Sequence, residues 1–336
     1  MREFTYVIPH SLQEAAAAAA RPDTIVKAAG LDLVDRMKER LVTPKEVVNL
    51  LPLGRELAGV TVEADGGLSI GAMTTLTQLA EHEALATPAL AGLREAAAIT
   101  ATPLIRNRAT VAGNLLQFTR CWYVRSEAHH CLHGGRGPVC LAMNGDNRYH
   151  SVMGYVDCAR VHPSNLAPAL LALDAEYSTR IAGPAGKREE RRKLGDLFPT
   201  TPKAEAAEHT LLPGEIVTAI HVPKQPAAGR SWYSESREKL SFDWATTACA
   251  VRLEIDGGII RAARLVLGAV APVPVQHDKA AALLVGQQPG DELFRRDAEA
   301  AFADAVPLSH NAYKVPVGKA IVREALHAAL SPKAGR

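Results

Sequence analysis

The chain has 336 residues, 47% of them hydrophobic and 5% aromatic, enough for two domains or one large lobed one with a sizeable core. Its 38 Lys plus Arg nearly balance 36 Asp plus Glu, for a formal net charge of +2, which argues against nucleic acid as a main partner. No apolar run approaches the roughly 20 residues that cross a bilayer.

The start, MREFTYVIPHSLQEAAAAAARP, lacks the basic, apolar and small-residue order of a signal peptide. A cytoplasmic protein is expected, or a periplasmic one if a partner carries the export signal. From Thr24 to Ala28 runs a short apolar strand that ends near Gly30, followed at helical spacing by Leu31–Leu41. Glu46–Leu51 reads as a strand, and Val60–Ala64 and Leu68–Ala72 flank Asp65-Gly66-Gly67 as a hairpin. Thr75–Ala80 reads as a helix, and so does Pro88–Ala98, with Thr87 as N-cap and Pro88 at the first helical position. Phe118–Asp157 is rich in Cys, His, Gly and Arg without periodicity, the mark of a functional or disordered loop. Leu166–Ala175 is a helix-like apolar run, and Gly186–Lys193 (GKREERRK) reads as a solvated surface turn. After a connector at Pro223–Gly229, Ala245–Ile255 and Ile259–Leu267 flank Asp256-Gly257-Gly258 as a second hairpin, and helices follow at Glu292–Ala305 and Val317–Leu330. The fold class is α+β, a long first region followed by a compact domain of antiparallel strands plus helices.

Two small-residue turns invite an anion. Lys27–Leu33 follows a strand and opens a helix, and Thr110–Leu115 follows the basic Arg106-Asn107-Arg108. Such turns let backbone N–H groups approach a phosphate, aided by the helix dipole. On spacing alone, an ordinary strand-to-helix connection is the better account of either one. No G-x-G-x-x-G occurs, so a doubly wound nucleotide domain is not supported.

Cys121, Cys131, Cys140 and Cys158 arise from one irregular stretch, whereas Cys249 stands alone in an apolar strand as a core thiol. In a chain this long they do not read as a disulfide framework. Four thiolates suit a tetrahedral metal or an iron–sulfur cluster. With His129, His130, His133 and His150 among them, zinc stays open, as does a set of buried unligated thiols. His162-Pro163-Ser164 lacks the nucleophile and acid partner of a hydrolase, and Ser164 suits an N-cap.

The succession AAGLDLVDRMKE, LSIGAMTTLTQLAE, PLIRNRATVAGNLLQ, VHPSNLAPALLALDAE and GAVAPVPV resembles the flavin subunits of the xanthine dehydrogenase, or molybdenum hydroxylase, family over nearly the whole chain. The resemblance implies a two-lobed FAD-binding domain of the PCMH (vanillyl-alcohol-oxidase-like) type at 1–223, with lobes about 1–55 and 56–223, and a CO-dehydrogenase-flavoprotein-like domain at 224–336. It implies that Ala28, Ala29, Gly30, Leu31, Asp32 and Leu33 cradle the FAD pyrophosphate from one side. Thr110, Ala112, Gly113 and Asn114 would do so from the other, with Met73, Thr74 and Asn165 near the cofactor. The stretch RCWYVRSEAHHCLHGGRGPVCLAMNGDNRYH followed by DCARVHPSNLAP is similar to an insertion in the flavin subunits of hydroxybenzoyl-CoA reductase and periplasmic-type aldehyde oxidoreductases. That similarity implies a 4Fe–4S cluster on Cys121, Cys131, Cys140 and Cys158 within loop 118–158, folded back by Asn144–His150. Arg120, Arg125 and Arg148 would either offset its charge or lie on the surface.

The chain departs from the family where Ala29 and Ala112 replace glycines, Leu31 a threonine, Asn165 an aspartate and, in a loose alignment, Ser234 a lysine. A Gly-to-Ala change is harmless only where φ is negative. The implied activity is electron relay in an oxidoreductase complex. The implied partners are a molybdopterin-containing large subunit, a small 2Fe–2S subunit and an external electron acceptor or donor. The alternatives are a structural subunit that has lost FAD and keeps a zinc or iron–sulfur site, and a free-standing flavin oxidase.

Overall fold

A computed structural model describes residues 1–182, 188–239 and 242–331. The first lobe alternates β1 (Thr5–Val7), α1 (Leu12–Ala19), β2 (Thr24–Lys27), α2 (Leu31–Lys38) and β3 (Glu46–Asn49). Its strands form a parallel sheet in the order β1-β3-β2, the outcome expected when helices carry the chain between strands. The alanine-rich α1 is capped by Ser11, whose hydroxyl accepts from Glu14 N–H, and it packs against Val48, Leu50 and Leu53.

The chain then runs through α3 (Gly54–Leu57), the hairpin β4 (Val60–Val62) and β5 (Leu68–Gly71), and α4 (Leu76–Glu81). Helices α5 (Ala91–Ile99), α6 (Pro103–Arg106) and α7 (Val111–Leu115) precede the cysteine-bearing loop, and α8 (Leu166–Ala172), β6 (Glu176–Ile181), β7 (Arg188–Lys193) and β8 (Ile216–Val222) follow it. Five strands order as β4-β5-β8-β6-β7, so the edge of the early hairpin pairs with a strand about 150 positions later. A capping box starts α4: Thr75 and Gln78 satisfy each other's backbone N–H groups.

The last region is a four-stranded antiparallel sheet, β12-β11-β10-β9, from β9 (Gly229–Arg237), β10 (Ala245–Asp256), β11 (Ile259–Gly268) and β12 (Val275–Gln276). Gly257 and Gly258, at φ +59° and +78°, make the two-residue turn between β10 and β11 that matches the twist of paired strands. Helices α9 (Asp278–Leu284), α10 (Asp291–Ala301) and α11 (Lys314–Leu330) share a core with Cys249, Val251, Leu253 and Leu267 of that sheet. Tyr233, Ala248, Ala250 and Val266 of the same sheet belong instead to the core built on α4, α5 and α8. One hydrophobic core thus runs across the Pro223–Ala228 connector. No helix among the described residues is long and apolar enough to cross a membrane.

Two local expectations are corrected. The helix expected to start at Pro88 starts at Ala91, because β9 claims the preceding carbonyls: Ser231 N–H donates to Pro88 O (2.9 Å) and its hydroxyl to Ala89 O (2.7 Å). The basic segment expected as a turn contributes residues 188–193 to edge strand β7, paired with β6, while 186–187 lie outside the described residues. Lysine- and arginine-rich edges are how sheets discourage further pairing.

Candidate functional site

The first small-residue turn lies between β2 and α2. Gly30 adopts φ +86°, a left-handed conformation that an L side chain rarely takes, and no side chain caps the helix it begins. The first intrahelical donor is Val34 N–H, bonded to Gly30 O at 2.9 Å. The N–H groups of Leu31, Asp32 and Leu33 therefore have no partner among the described residues, which leaves an open, positively polarised helix end. Lys27 Nζ lies over the same turn, donating to Ala28 O and Asn49 Oδ1, both at 3.1 Å. Ala29 is not among the residues of positive φ, and neither is Ala112, so neither Gly-to-Ala departure strains the backbone. Leu31 is exposed and Leu33 buried in the lobe core.

The second turn differs. Thr110 caps α7 by accepting from Gly113 N–H (3.1 Å), and a methyl on Gly113 would stand 2.8 Å from that Thr110 hydroxyl oxygen. Val111 N–H donates to Thr74 O, Ala112 N–H to Ala72 O and Asn114 N–H to Thr110 O. A turn expected to be rich in donors thus spends them internally, and offers small side chains and an exposed Gly113 instead. Thr74 is fully buried and exchanges hydrogen bonds with Gly59, accepting at 2.9 Å and donating at 3.0 Å; Met73 is buried beside it.

Asn114 joins this turn to the 162–165 segment. Its Oδ1 accepts from Ser164 Oγ (2.6 Å) and Leu166 N–H (3.3 Å), while Ser164 caps α8 through Ala167 N–H (3.0 Å). Asn165 Nδ2 donates to Tyr233 OH (3.2 Å) and to Glu235 of β9. An aspartate at 165 would set two carboxylates against each other, so the amide suits this chain's Glu235. His162 is fully buried with both ring nitrogens unpartnered, edge-on to Phe198, and burial lowers its pKa to about 4. It is held neutral and packs against Phe198. Ser234 is buried in β9 with its hydroxyl unpartnered.

Of the four clustered cysteines, Cys140 and Cys158 lie against each other, and Cys121 lies near Cys131 and Cys140. The Cys158 thiol hydrogen-bonds Cys140 and lowers its pKa to about 6, and the same contact raises that of Cys158. Burial is the main cause that pushes Cys121 up to about 12, with Cys131 and Cys140 near enough to add to it. Backbone N–H groups of Val124 and Tyr123 lower the pKa of Cys121, those of Ala159, Ala142 and Met143 that of Cys140, and that of Arg160 that of Cys158, each against the effect of burial. Donors aimed at sulfur stabilise the thiolate and tune whatever it ligates. Among the described residues, no three His, Cys, Asp or Glu side chains converge as a shell around one metal ion. Of the histidines weighed for zinc, His133 is committed to Ala204 O (2.7 Å) and Glu208 (3.0 Å), and His130 to Arg136 O (3.1 Å). His150 reaches Cys121 Sγ at 3.1 Å and is held neutral by burial, its pKa near 4.

The Asn144–His150 segment is tied to residues 309–314. Asn147, fully buried, donates to Ala142 O (3.0 Å), Gly145 O (3.1 Å) and Ser309 Oγ (3.1 Å), and accepts from His310 N–H (2.8 Å). Asn311 and Lys314, at the start of α11, hold the His150 carbonyl at 3.2 and 2.9 Å. Lys314 Nζ also donates to Ala269 O (2.8 Å), and burial lowers its pKa to about 7. Sequence reasoning missed Lys314 and the fully buried Arg160, because nothing local marks a lysine or arginine for the interior. Arg148 pairs with Asp146 on the surface, as one of its two readings had it. Arg120 and Arg125 pair with Asp32 of α2 at 3.0 and 2.7 Å. A cavity of about 440 Å³ lies here, lined by Asp35, Arg120, Cys121, His150, Pro163 and Trp244 among others. Arg120 stacks over Trp244 at 4.2 Å.

An uncapped helix end behind a left-handed glycine, adjoining a buried thiol cluster, defines a protein suited to an anionic cofactor without a Rossmann fingerprint. Residues 2–225 match the FAD-binding domain in molybdopterin dehydrogenase, and residues 231–329 the CO dehydrogenase flavoprotein C-terminal domain. The chain is 34% identical over 321 residues to the aldehyde oxidoreductase FAD-binding subunit PaoB of Escherichia coli (strain K12), covering 95% of this chain and 96% of that one. It is 28% identical over 338 residues to the carbon monoxide dehydrogenase medium chain of Hydrogenophaga pseudoflava, covering 97% and 96%. The solved carbon monoxide dehydrogenase from Hydrogenophaga pseudoflava that lacks the Mo-pyranopterin moiety aligns with a TM-score of 0.74 at 26% identity, over 98% of both chains. The chain belongs to the FAD-binding subunits of the molybdenum hydroxylase (xanthine dehydrogenase) family.

Proposed function

We propose that this chain is the FAD-containing electron-transfer subunit of a heteromeric molybdenum hydroxylase and carries a 4Fe–4S cluster of its own. It relays electrons between a molybdopterin-containing large subunit with a small 2Fe–2S subunit and an external acceptor or donor. The observation that carries the reading is that α2 and the Cys121 segment are joined: Asp32 in the first turn of α2 pairs with Arg120 and Arg125, and Asp35 lines one cavity with Cys121. The near full-length likeness to an aldehyde oxidoreductase FAD-binding subunit supports the same assignment.

In this reading residues 1–223 form the FAD-binding domain and residues 224–336 the C-terminal flavoprotein domain. FAD, when bound, supplies the one- and two-electron exchange. The N–H groups of Leu31, Asp32 and Leu33 hold its diphosphate, and the bare Gly30 together with Ala28 and Ala29 lets the anion come close. Ala112 and Gly113 leave room on the second side, while Thr110, Asn114, Met73 and Thr74 fix the shape of that turn from within. Asn165 ties it to β9. Cys121, Cys131, Cys140 and Cys158 would hold the cluster as thiolates, and the cluster would supply one-electron transfer.

The test is the ultraviolet–visible spectrum and iron content of the anaerobically purified complex, wild type beside Cys131→Ser. Flavin bands on a broad, dithionite-bleachable shoulder, with the shoulder and its iron lost in the variant while flavin stays, support both cofactors. Iron content unchanged by Cys131→Ser overturns the ligand assignment, and flavin without a shoulder in the wild type overturns the cluster.

A further inference from the structure

The carboxylate of Asp32 lies in the first turn of α2, among the same N–H groups that face outward from the turn. A bare negative charge there would repel an incoming diphosphate. It is not bare. Its Oδ1 pairs with Arg125 Nη2 (2.7 Å) and Arg120 Nη1 (3.0 Å), and its Oδ2 accepts from Phe118 N–H (3.2 Å). One helical turn on, Asp35 pairs with Arg125 Nη1 at 2.7 Å. Arg125 thus forks across two carboxylates on one face of α2, while its Nε donates to Thr119 O (2.8 Å) and its own N–H to Cys121 O (3.1 Å). The Arg36 guanidinium lies 4.2 Å from the Phe118 ring and 3.8 Å from Asp32 Oδ2.

Backbone donors and carboxylate share one rigid turn, so whatever fixes one fixes the other. We propose that Arg125 is a positioning residue that couples the two cofactor sites. Together with Arg120 it neutralises Asp32 beside the FAD diphosphate, and through Asp35 and Thr119 it fastens the segment bearing Cys121 onto α2, so FAD binding and the order of that segment favour each other. The proposal rests on the reading of the α2 turn as the diphosphate site. Coupling between sites is reciprocal, and its usual size is roughly 5- to 150-fold in affinity.

The experiment titrates FAD into flavin-depleted complex and follows hydrogen exchange of residues 118–132 with and without FAD. Arg125→Gln is expected to weaken FAD binding by about tenfold and to abolish the protection that FAD confers on the segment. Arg125→Lys keeps the charge but loses the fork, so it restores part of the affinity. Arg120 still pairs with Asp32 in Arg125→Gln, so Asp32→Asn in that background recovers FAD affinity only in part, and it leaves the segment loose; a merely structural arginine gives no such split. Should Arg125→Gln not fold, Asp35→Asn, which removes only the half-exposed arm of the fork, is expected to give a smaller loss in the same direction. FAD affinity and protection unchanged in Arg125→Gln, or in Asp35→Asn where that variant stands in, overturn the coupling. A wild-type complex that takes up no FAD overturns the underlying diphosphate site, a result distinct from flavin bound without coupling.

Discussion

Gly30→Ala probes the proposed FAD turn directly. An alanine held at φ +86° is strained by about 1–2 kcal/mol relative to the right-handed region. Its methyl would also stand 3.0 Å from Lys27 Cε and 3.2 Å from Val34 Cγ2. The lysine end is flexible in principle, but Nζ is bonded to Ala28 O and Asn49 Oδ1, so moving it gives up those contacts. The free protein can relax the turn and re-aim the α2 donors, whereas the FAD-bound form requires the original geometry. The strain therefore appears in binding, and 1–2 kcal/mol corresponds to roughly a 5- to 30-fold weaker FAD affinity. The assay is a flavin-fluorescence titration of flavin-depleted complex. Gly257→Ala is the control: it carries a comparable positive φ of 59°, has nothing within 4 Å of the added methyl, and sits in the distant β10–β11 turn. Equal FAD affinity in Gly30→Ala, Gly257→Ala and the wild type would refute the assignment of α2 as the diphosphate site.

Two further outcomes are expected. Asp297 of α10 is fully buried with neither oxygen partnered, and burial raises its pKa from 3.8 to about 7. The native state thus holds this proton more tightly than the unfolded chain, so its contribution to stability is present at low pH and is lost as pH rises through about 4 to 7. Asp297→Asn removes the titration, and its stability advantage, read from urea midpoints, should grow by about 2–3 kcal/mol between pH 5 and pH 8; an advantage independent of pH would contradict the burial argument. Asn147→Ala leaves the carbonyls of Ala142 and Gly145 and the N–H of His310 without their partner. At about 1–3 kcal/mol for each buried group left unpaired, the cysteine loop should open to limited proteolysis and, with the proposed cluster present, lose iron with FAD retained; a loop as resistant as the wild type's would show that the Asn147 contacts with Ser309 and His310 do not hold it.

What the sequence alone determined was whatever depends on neighbours in the chain. The hairpin at Asp256-Gly257-Gly258, the Thr75 and Thr110 caps, the Ser164 hydroxyl at the start of α8 and the left-handed Gly30 all follow from turn and capping chemistry within a few residues. The resemblance in segment order also reached the family and both domain types that the comparisons show. Only the tertiary structure decided which donors stay free. The two small-residue turns look alike in sequence, yet the N–H groups at 111 and 112 are consumed by Thr74 and Ala72 while those at 31 to 33 are not. The start of α5 moved from 88 to 91 because β9, some 140 residues later, bonds the intervening carbonyls. Asp32 reads as one more polar residue of a turn until Arg125, 93 positions away, meets it. Local rules fix the conformation of a residue, but a hydrogen-bonding group's availability depends on which distant partner reaches it first, and that is settled only when the chain is packed.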